Sequence, residues 1–149
     1  MENNAKSICS QFSINPDQMD SVARDLNLKL IVLFGSWAKL NPLPGVDSDV
    51  DIALLGCPAE NFWNCYKILR RFFSKNPLDL VRLETADPLF RFEVMNRSIL
   101  IWGDPDLYCE YRAYAYRDFV DSADLFQLEN NLFVKKMDYL AQQIYEKNY

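Results

Sequence analysis

Three aspartates offer the clearest chemistry in this sequence. Asp49 and Asp51 lie two positions apart where a predicted strand begins, and Asp79 lies in a later predicted strand. Because side chains alternate across a strand, Asp49 and Asp51 point to the same face, with backbones roughly 6–7 Å apart. Neighbouring carboxylates repel each other unless a cation lies between them, and oxygen-only ligands suit Mg²⁺ or Mn²⁺ rather than zinc. We therefore predict a metal site, which Asp79 joins if its strand neighbours theirs.

A second group of residues is suited to binding phosphate. Gly35 follows an apolar strand and allows the backbone to turn tightly. Ser36 begins a helical turn, whose free N–H groups favour an anion. Lys39 adds a positive charge beside that phosphate, although a solvated lysine with no such contact is the alternative. Together with the acids, these residues would hold one or two Mg²⁺ ions on the phosphates of a nucleotide, and one carboxylate could accept the proton of an attacking hydroxyl.

The composition excludes several other kinds of site. The 149 residues include no histidine, which rules out Ser-His-Asp and Cys-His catalysis and HExxH zinc sites. The 4 glycines lack the spacing of dinucleotide and P-loop motifs, and the 4 cysteines form no CxxC pair. A net charge of −5 gives no bulk attraction to nucleic acid or to an anionic membrane. We expect a cytoplasmic protein, since its N-terminus has no apolar signal-peptide core.

The elements that must position these residues alternate between helix and strand. Asn15 and Pro16 provide an N-cap and a first helical residue, and Pro and Gly residues mark 41–49 as a loop. Predicted helices cover 16–26, 60–75, 88–96 and a C-terminal region from about 104, with a candidate interruption near 122–124. Predicted strands cover 28–34, 50–55, 78–83 and 98–102. We expect one domain over 1–149, of α+β (α/β) class, with a small sheet flanked by helices.

The spacing of these motifs resembles a known signature. Phe34-Gly35-Ser36 ends a hydrophobic strand, and Ser48-Asp49-Val50-Asp51 enters the next one. This order is similar to that of the nucleotidyltransferase superfamily with the DNA-polymerase-β-type fold. Size and detail resemble its minimal nucleotidyltransferase branch, the antitoxin partners of HEPN toxins, with Asp79 at the third-acid position. The resemblance covers roughly residues 28–140, and its helical tail is the least specific part.

Two features depart from the family pattern. Twelve residues separate Ser36 from Asp49, about two more than is commonest, and the extra length falls in a loop that tolerates it. Lys39 stands where the family often carries arginine, which would weaken a bidentate phosphate contact but keep the charge. Neither departure removes a predicted metal ligand.

The resemblance implies an antitoxin that transfers AMP from ATP–Mg²⁺ to a tyrosine hydroxyl of a cognate HEPN ribonuclease toxin and so neutralises it. Gly35, Ser36 and Lys39 would bind the phosphates, Asp49 and Asp51 would hold the metals, and Asp79 would complete the metal site and act as base. Because the HEPN toxin needs a catalytic histidine, a chain without histidine fits the antitoxin side. Two alternatives stay open: nucleotidylation of a small molecule such as an aminoglycoside, and neutralisation by binding alone.

Two further groups allow two interpretations each. Basic residues near one helical face could form a groove for a partner, but a solvated face is favoured. These are Lys67, Arg70, Arg71 and Lys75. Tyrosines crowd the start of the C-terminal helical region, where they could bind a partner or pack in the core. These are Tyr108, Tyr111, Tyr114 and Tyr116.

Overall fold

A mixed sheet forms the centre of the molecule in the computed structural model, which describes residues 2–39 and 44–147. The helices are α1 (Glu2–Gln11), α2 (Pro16–Asp25), α3 (Phe62–Leu69), α4 (Pro88–Asn96) and α5 (Pro105–Lys147). The strands are β1 (Leu30–Phe34), β2 (Val50–Leu55), β3 (Leu78–Arg82) and β4 (Ile99–Gly103). Their order is β3-β2-β1-β4; β1 is antiparallel to β2 and β4, whereas β2 and β3 are parallel. The predicted α+β class with a small sheet is confirmed.

Hydrophobic side chains alternate between two cores, one on each face of the sheet. On one face, Ile31, Leu33 and Ile52 pack against α1, α2 and α3. On the other face, Val32 and Ala53 pack against α4 and α5. The central strand β1 contributes to both cores, which explains why its sequence, LIVLF, is continuously apolar.

Capping residues set the starts of two helices, and the predicted N-cap of α2 is confirmed. The Asn15 side chain accepts hydrogen bonds from the N–H groups of Asp17 and Gln18 at the start of α2. The Asp87 side chain accepts one from the Phe90 N–H at 2.9 Å, and Pro88 is the first residue of α4. The N-termini of α2 and α4 therefore both combine a polar cap with a proline, whose missing N–H leaves no donor unsatisfied.

Four differences from the predictions concern the elements and their ends. The helix predicted over 60–75 ends at Leu69, and i→i−3 hydrogen bonds then curl the chain so that Phe73 enters the core. The interruption near 122–124 is wrong: α5 is continuous there, since no glycine or proline follows Pro105. Helix α1 was not predicted. The loop predicted over 41–49 lies partly outside the described residues; within 44–49 the chain has no helix or strand and forms a turn at 46–47.

The tyrosines at the start of α5 divide between the core and the surface. Tyr108 is buried, and its hydroxyl lies 3.0 Å from both the hydroxyl and the carbonyl oxygen of Ser98. Burial raises the pKa of the half-buried Tyr111 to about 12. Tyr114 and Tyr116 are exposed. The core interpretation therefore holds for Tyr108.

Over the residues that the structure describes, no helix has the length and apolarity needed to cross a membrane.

Arg91 joins α4, α5 and the segment after β3. It is 8% exposed, and its guanidinium donates to the carbonyl oxygens of Leu83 at 3.1 Å and Ala86 at 2.7 Å. It also forms an ion pair with Asp118 at 2.7 Å. A buried cation with this many acceptors orders the segment that leaves β3, because its removal would leave those acceptors unpaired.

We predict that Arg91→Met lowers the free energy of unfolding by about 2–3 kcal/mol, since the acceptors lose a buried charged donor. Urea titration followed by circular dichroism measures the change. Arg24→Met is the matched control, because Arg24 forms an ion pair of similar length with Asp20, at 2.8 Å, but is largely exposed. Equal losses in the two variants would contradict the assigned role of Arg91.

Candidate functional site

Strand register brings two of the predicted acids together. Phe34 in β1 pairs with Asp51 in β2, and Asp51 pairs with Asp79 in β3. Residues paired across neighbouring strands project to the same face of a sheet. The strand of Asp79 therefore neighbours that of Asp51, as the metal-site prediction required. Phe34, Asp51 and Asp79 form one row across the sheet, on the face covered by α4 and α5.

The charges of Asp49 and Asp79 both act on the carboxyl group of Asp51. Burial raises the pKa of Asp51 above its ordinary value, and the negative charges of Asp79 and then Asp49 raise it further. Asp49 itself precedes β2 and is exposed, and Asp79 is exposed. This concentration of negative oxygen donors would be relieved by a hard divalent cation, so the donor set fits Mg²⁺ or Mn²⁺.

The acids do not form a complete metal cage. Within residues 2–39 and 44–147, no group of three or more Cys, Asp or Glu side chains is arranged to hold a metal ion. A site for Mg²⁺ needs no such cage, since this ion is commonly bound by one or two carboxylates, by water and by the phosphates of a substrate. The predicted assignment of Asp49, Asp51 and Asp79 as metal ligands therefore remains a prediction.

Gly35 gives Asp51 the space that it occupies. A Cβ atom at Gly35 would lie 2.0 Å from Oδ2 of Asp51 and 2.8 Å from its Cγ. The backbone at Gly35 also has a φ of +69°, a left-handed conformation that other residues rarely adopt. The residue begins a 3₁₀ turn, Gly35–Ala38, which is the short helical turn that was predicted. Gly35 thus links the predicted phosphate-binding motif to the acids by its closeness to Asp51.

Two buried side chains hold the loop that carries Asp49. The indole Nε1 of Trp37 donates to the Ser48 carbonyl oxygen at 3.1 Å. The amide of Asn76, which is 8% exposed, donates to the same oxygen at 3.0 Å and to the Val46 carbonyl oxygen at 2.8 Å. The Ser48 carbonyl oxygen is therefore the point at which both side chains hold this turn. Neither Trp37 nor Asn76 was predicted from the sequence to support this loop.

The remaining predicted site residues lie beside Gly35. Ser36 is half-buried in the 3₁₀ turn, and Lys39 follows that turn with an exposed side chain. Lys39 and Gly35 both line a cavity of about 510 Å³. The same cavity contains Phe34 and Phe90, whose rings meet edge to face with centroids 6.0 Å apart. The phosphate contacts of Ser36 and Lys39 stay predictions.

We predict that Asp51→Asn stabilises the folded protein at neutral pH. A carboxyl whose pKa rises on folding lowers stability as pH increases from its ordinary pKa of 3.8 through the raised value. The variant removes that penalty, with a gain of at most about 1 kcal/mol because solvent screens the site. Urea titrations in a chelating buffer measure it. The gain should shrink at acid pH, where wild-type Asp51 is protonated; a gain independent of pH would contradict the assigned repulsion.

We also predict that Gly35→Ala destabilises the protein by about 2 kcal/mol or more, from left-handed backbone strain together with the clash with Asp51. Thermal or urea unfolding measures this loss. Gly45→Ala is the matched control, since a Cβ there would meet only Ser48 Oγ at 3.8 Å. Adding Asp51→Ala to Gly35→Ala should recover the part that is due to the clash. No recovery would show that the contact with Asp51 carries no energy.

A mixed sheet that brings a Gly-Ser turn and strand-borne acids to one end is the arrangement of nucleotidyltransferases. The family model described as "Polymerase beta, Nucleotidyltransferase" matches residues 18–107. The chain therefore belongs to this family, and the family resemblance noted from the sequence is confirmed. No curated protein sequence matches the chain at a significant level.

Solved structures share the fold at low sequence identity. A chain from a crystal structure of a toxin–antitoxin with AMP-PNP has a TM-score of 0.61 and 22% identity, covering 83% of this chain and 98% of that chain. A chain from the tri-AMPylated Shewanella oneidensis HEPN toxin in complex with MNT antitoxin has a TM-score of 0.57 and 21% identity, covering 85% and 98%. A chain of the MntA–HepT toxin–antitoxin has a TM-score of 0.56 and 21% identity, covering 84% and 97%.

Proposed function

We propose that this protein is the antitoxin of a toxin–antitoxin pair and transfers AMP from ATP to a tyrosine hydroxyl of a cognate HEPN ribonuclease toxin. Membership of the nucleotidyltransferase family supports group transfer from a nucleotide. The similar solved structures are toxin–antitoxin complexes, one with AMP-PNP and one with a tri-AMPylated toxin. The observation that carries the proposal is the contact between Gly35 and Asp51 in the row that Asp51 forms with Asp79.

The residues have separate roles in this proposal. Asp49 and Asp51 hold Mg²⁺, with Asp79 completing the site, and Gly35, Ser36 and Lys39 bind the phosphates. A bound Mg²⁺ supplies charge neutralisation on the phosphates. The repulsion that raises the pKa of Asp51 favours loading of the acids with such an ion. Lys39 lies outside the acidic row, so we assign its positive charge to binding the phosphates rather than to pairing with the carboxylates.

The transfer forms a bond between the tyrosine oxygen and the α-phosphorus of ATP. The bond from that phosphorus to the bridging oxygen of the β-phosphate breaks, and pyrophosphate leaves. The proton of the tyrosine hydroxyl passes to a carboxylate, for which we assign Asp79. Its exposed position in β3 leaves it accessible to a hydroxyl from a protein substrate, while Asp51 is partly covered by Gly35.

We predict that Asp51→Asn reduces AMP transfer to the toxin by about 10³-fold or more, since removal of a charged group that acts on the reacting phosphates costs several kcal/mol of barrier. Transfer of label from α-³²P-ATP to the purified cognate toxin measures the rate. Asp47→Asn is the matched control, because Asp47 is an exposed acid of the same loop whose charge does not act on Asp51. Equal rates for wild type and Asp51→Asn would refute the assignment.

Two further measurements separate this proposal from its rivals. Labelling of free aminoglycoside, with none on the toxin, would indicate a small-molecule nucleotidyltransferase instead. The Asp49→Ala, Asp51→Ala double variant tests neutralisation by binding alone. If cells that express this variant still survive the toxin, tight binding accounts for the antitoxin effect without group transfer.

A further inference from the structure

One edge of the sheet has backbone groups that no strand within residues 2–39 and 44–147 pairs with. β3 is the last strand on its side of the sheet. The Val50 N–H donates to the Pro77 carbonyl oxygen, and the Leu83 N–H donates to the Leu54 carbonyl oxygen. In a parallel pair of strands, only every second residue bonds to the neighbouring strand, and these two bonds show which residues do so. The N–H and C=O groups of Asp79 and Val81 therefore face β2, and those of Leu80 and Arg82 face away from it. Hence the N–H groups of Leu80 and Arg82 point outward.

A groove with aromatic walls runs along this edge. Its volume is about 550 Å³, and its lining includes Phe62, Trp63, Leu80, Val81, Arg82 and Phe90. Trp63 is 67% exposed, and its ring contacts Phe62 and Tyr66 edge to face, with centroids 5.5 and 5.9 Å away. Large exposed tryptophans at a concave surface are typical of contact sites. The groove beside the opposite edge strand, β4, has a different wall, because Asn4 and Ala5 of α1 line it.

The groove adjoins the acidic row. A further strand paired with β3 would lie roughly 4.8 Å from it, and its residue opposite Asp79 would project to the same face as Asp79 and Asp51. Phe34, Asp51 and Asp79 already form successive members of that row. A tyrosine at this fourth position would project its side chain to the face of the sheet that carries the acids.

From the free edge, the aromatic groove and the row, we infer that an extended segment of the acceptor protein, bearing its tyrosine, pairs with β3 as an added strand. This inference rests on the proposed function. Outward N–H and C=O groups at every second residue require a partner with an extended backbone. A second copy of this chain fits less well, because β3 has 5 residues, too few to bury the roughly 1,200 Å² typical of a stable interface. A short edge strand such as β3 is better suited to a protein substrate that binds briefly and is then released.

Amide hydrogen exchange at single-residue resolution tests the inference. The full-length protein is compared alone and with the cognate toxin, without ATP so that no transfer occurs. The toxin should slow exchange at the Leu80 and Arg82 amides by about tenfold or more, because they gain acceptors. The Asp79 and Val81 amides, already bonded to β2, are the internal control and should change little. Unchanged exchange at Leu80 and Arg82 in the formed complex overturns the inference, as does protection that appears when this protein alone is concentrated.

A variant pair adds a kinetic readout. Trp63→Ala should raise the KM for the toxin by roughly tenfold while leaving the KM for ATP unchanged, and Trp63→Phe should keep most of the affinity. Unaltered toxin KM in Trp63→Ala would count against the groove. The two proposals fail separately: alternating protection without any AMP transfer by the wild type would refute the transferase assignment alone, whereas transfer without protection would refute the docking alone.

Discussion

The carboxyl group of Asp51 lies within reach of the charges of two other acids, and the backbone of Gly35 leaves it the space that it fills. Burial and the charges of Asp79 and Asp49 all disfavour its ionised form. An ionised carboxyl in this position lowers the stability of the fold, and such a penalty is typical of a functional site. Gly35 adds a second constraint, since any side chain there would collide with Oδ2 of Asp51. The rest of the structure must hold both residues against this repulsion.

Each element around the site contributes to that support. The two cores fix β1 and β2 from both faces of the sheet. Trp37 and Asn76 anchor the loop before Asp49 through its carbonyl oxygens. Arg91 performs the equivalent task after β3, where it fixes Leu83 and Ala86. Hydrogen bonds to main-chain carbonyls thus order the irregular segments next to the strands that carry the acids.

Local patterns predicted most of the elements, because each had a local physical cause. Prolines and a glycine end the segment before β2, and alternation of Val50, Ile52 and Leu54 with Asp51 marks that strand with correct ends. By contrast, Trp37 acts on a residue 11 positions away and Asn76 on residues 28 and 30 positions away. Such contacts leave no periodic or spacing signal. The false break in α5 came from polar residues, which solvent accommodates in an exposed helix.

The mixed topology of the sheet is what allows the motifs to meet. Antiparallel pairing places the end of β1, where Gly35 follows, beside the beginning of β2, where Asp51 lies. Parallel pairing places the beginning of β3, with Asp79, beside that same end of β2. Had β1 been parallel to β2, or β3 antiparallel to it, Gly35 or Asp79 would lie at the opposite end of a strand six residues long, roughly 17–20 Å away. The sequence order of strand, Gly-Ser and Asp-x-Asp can therefore build this site only in a sheet that combines both pairings.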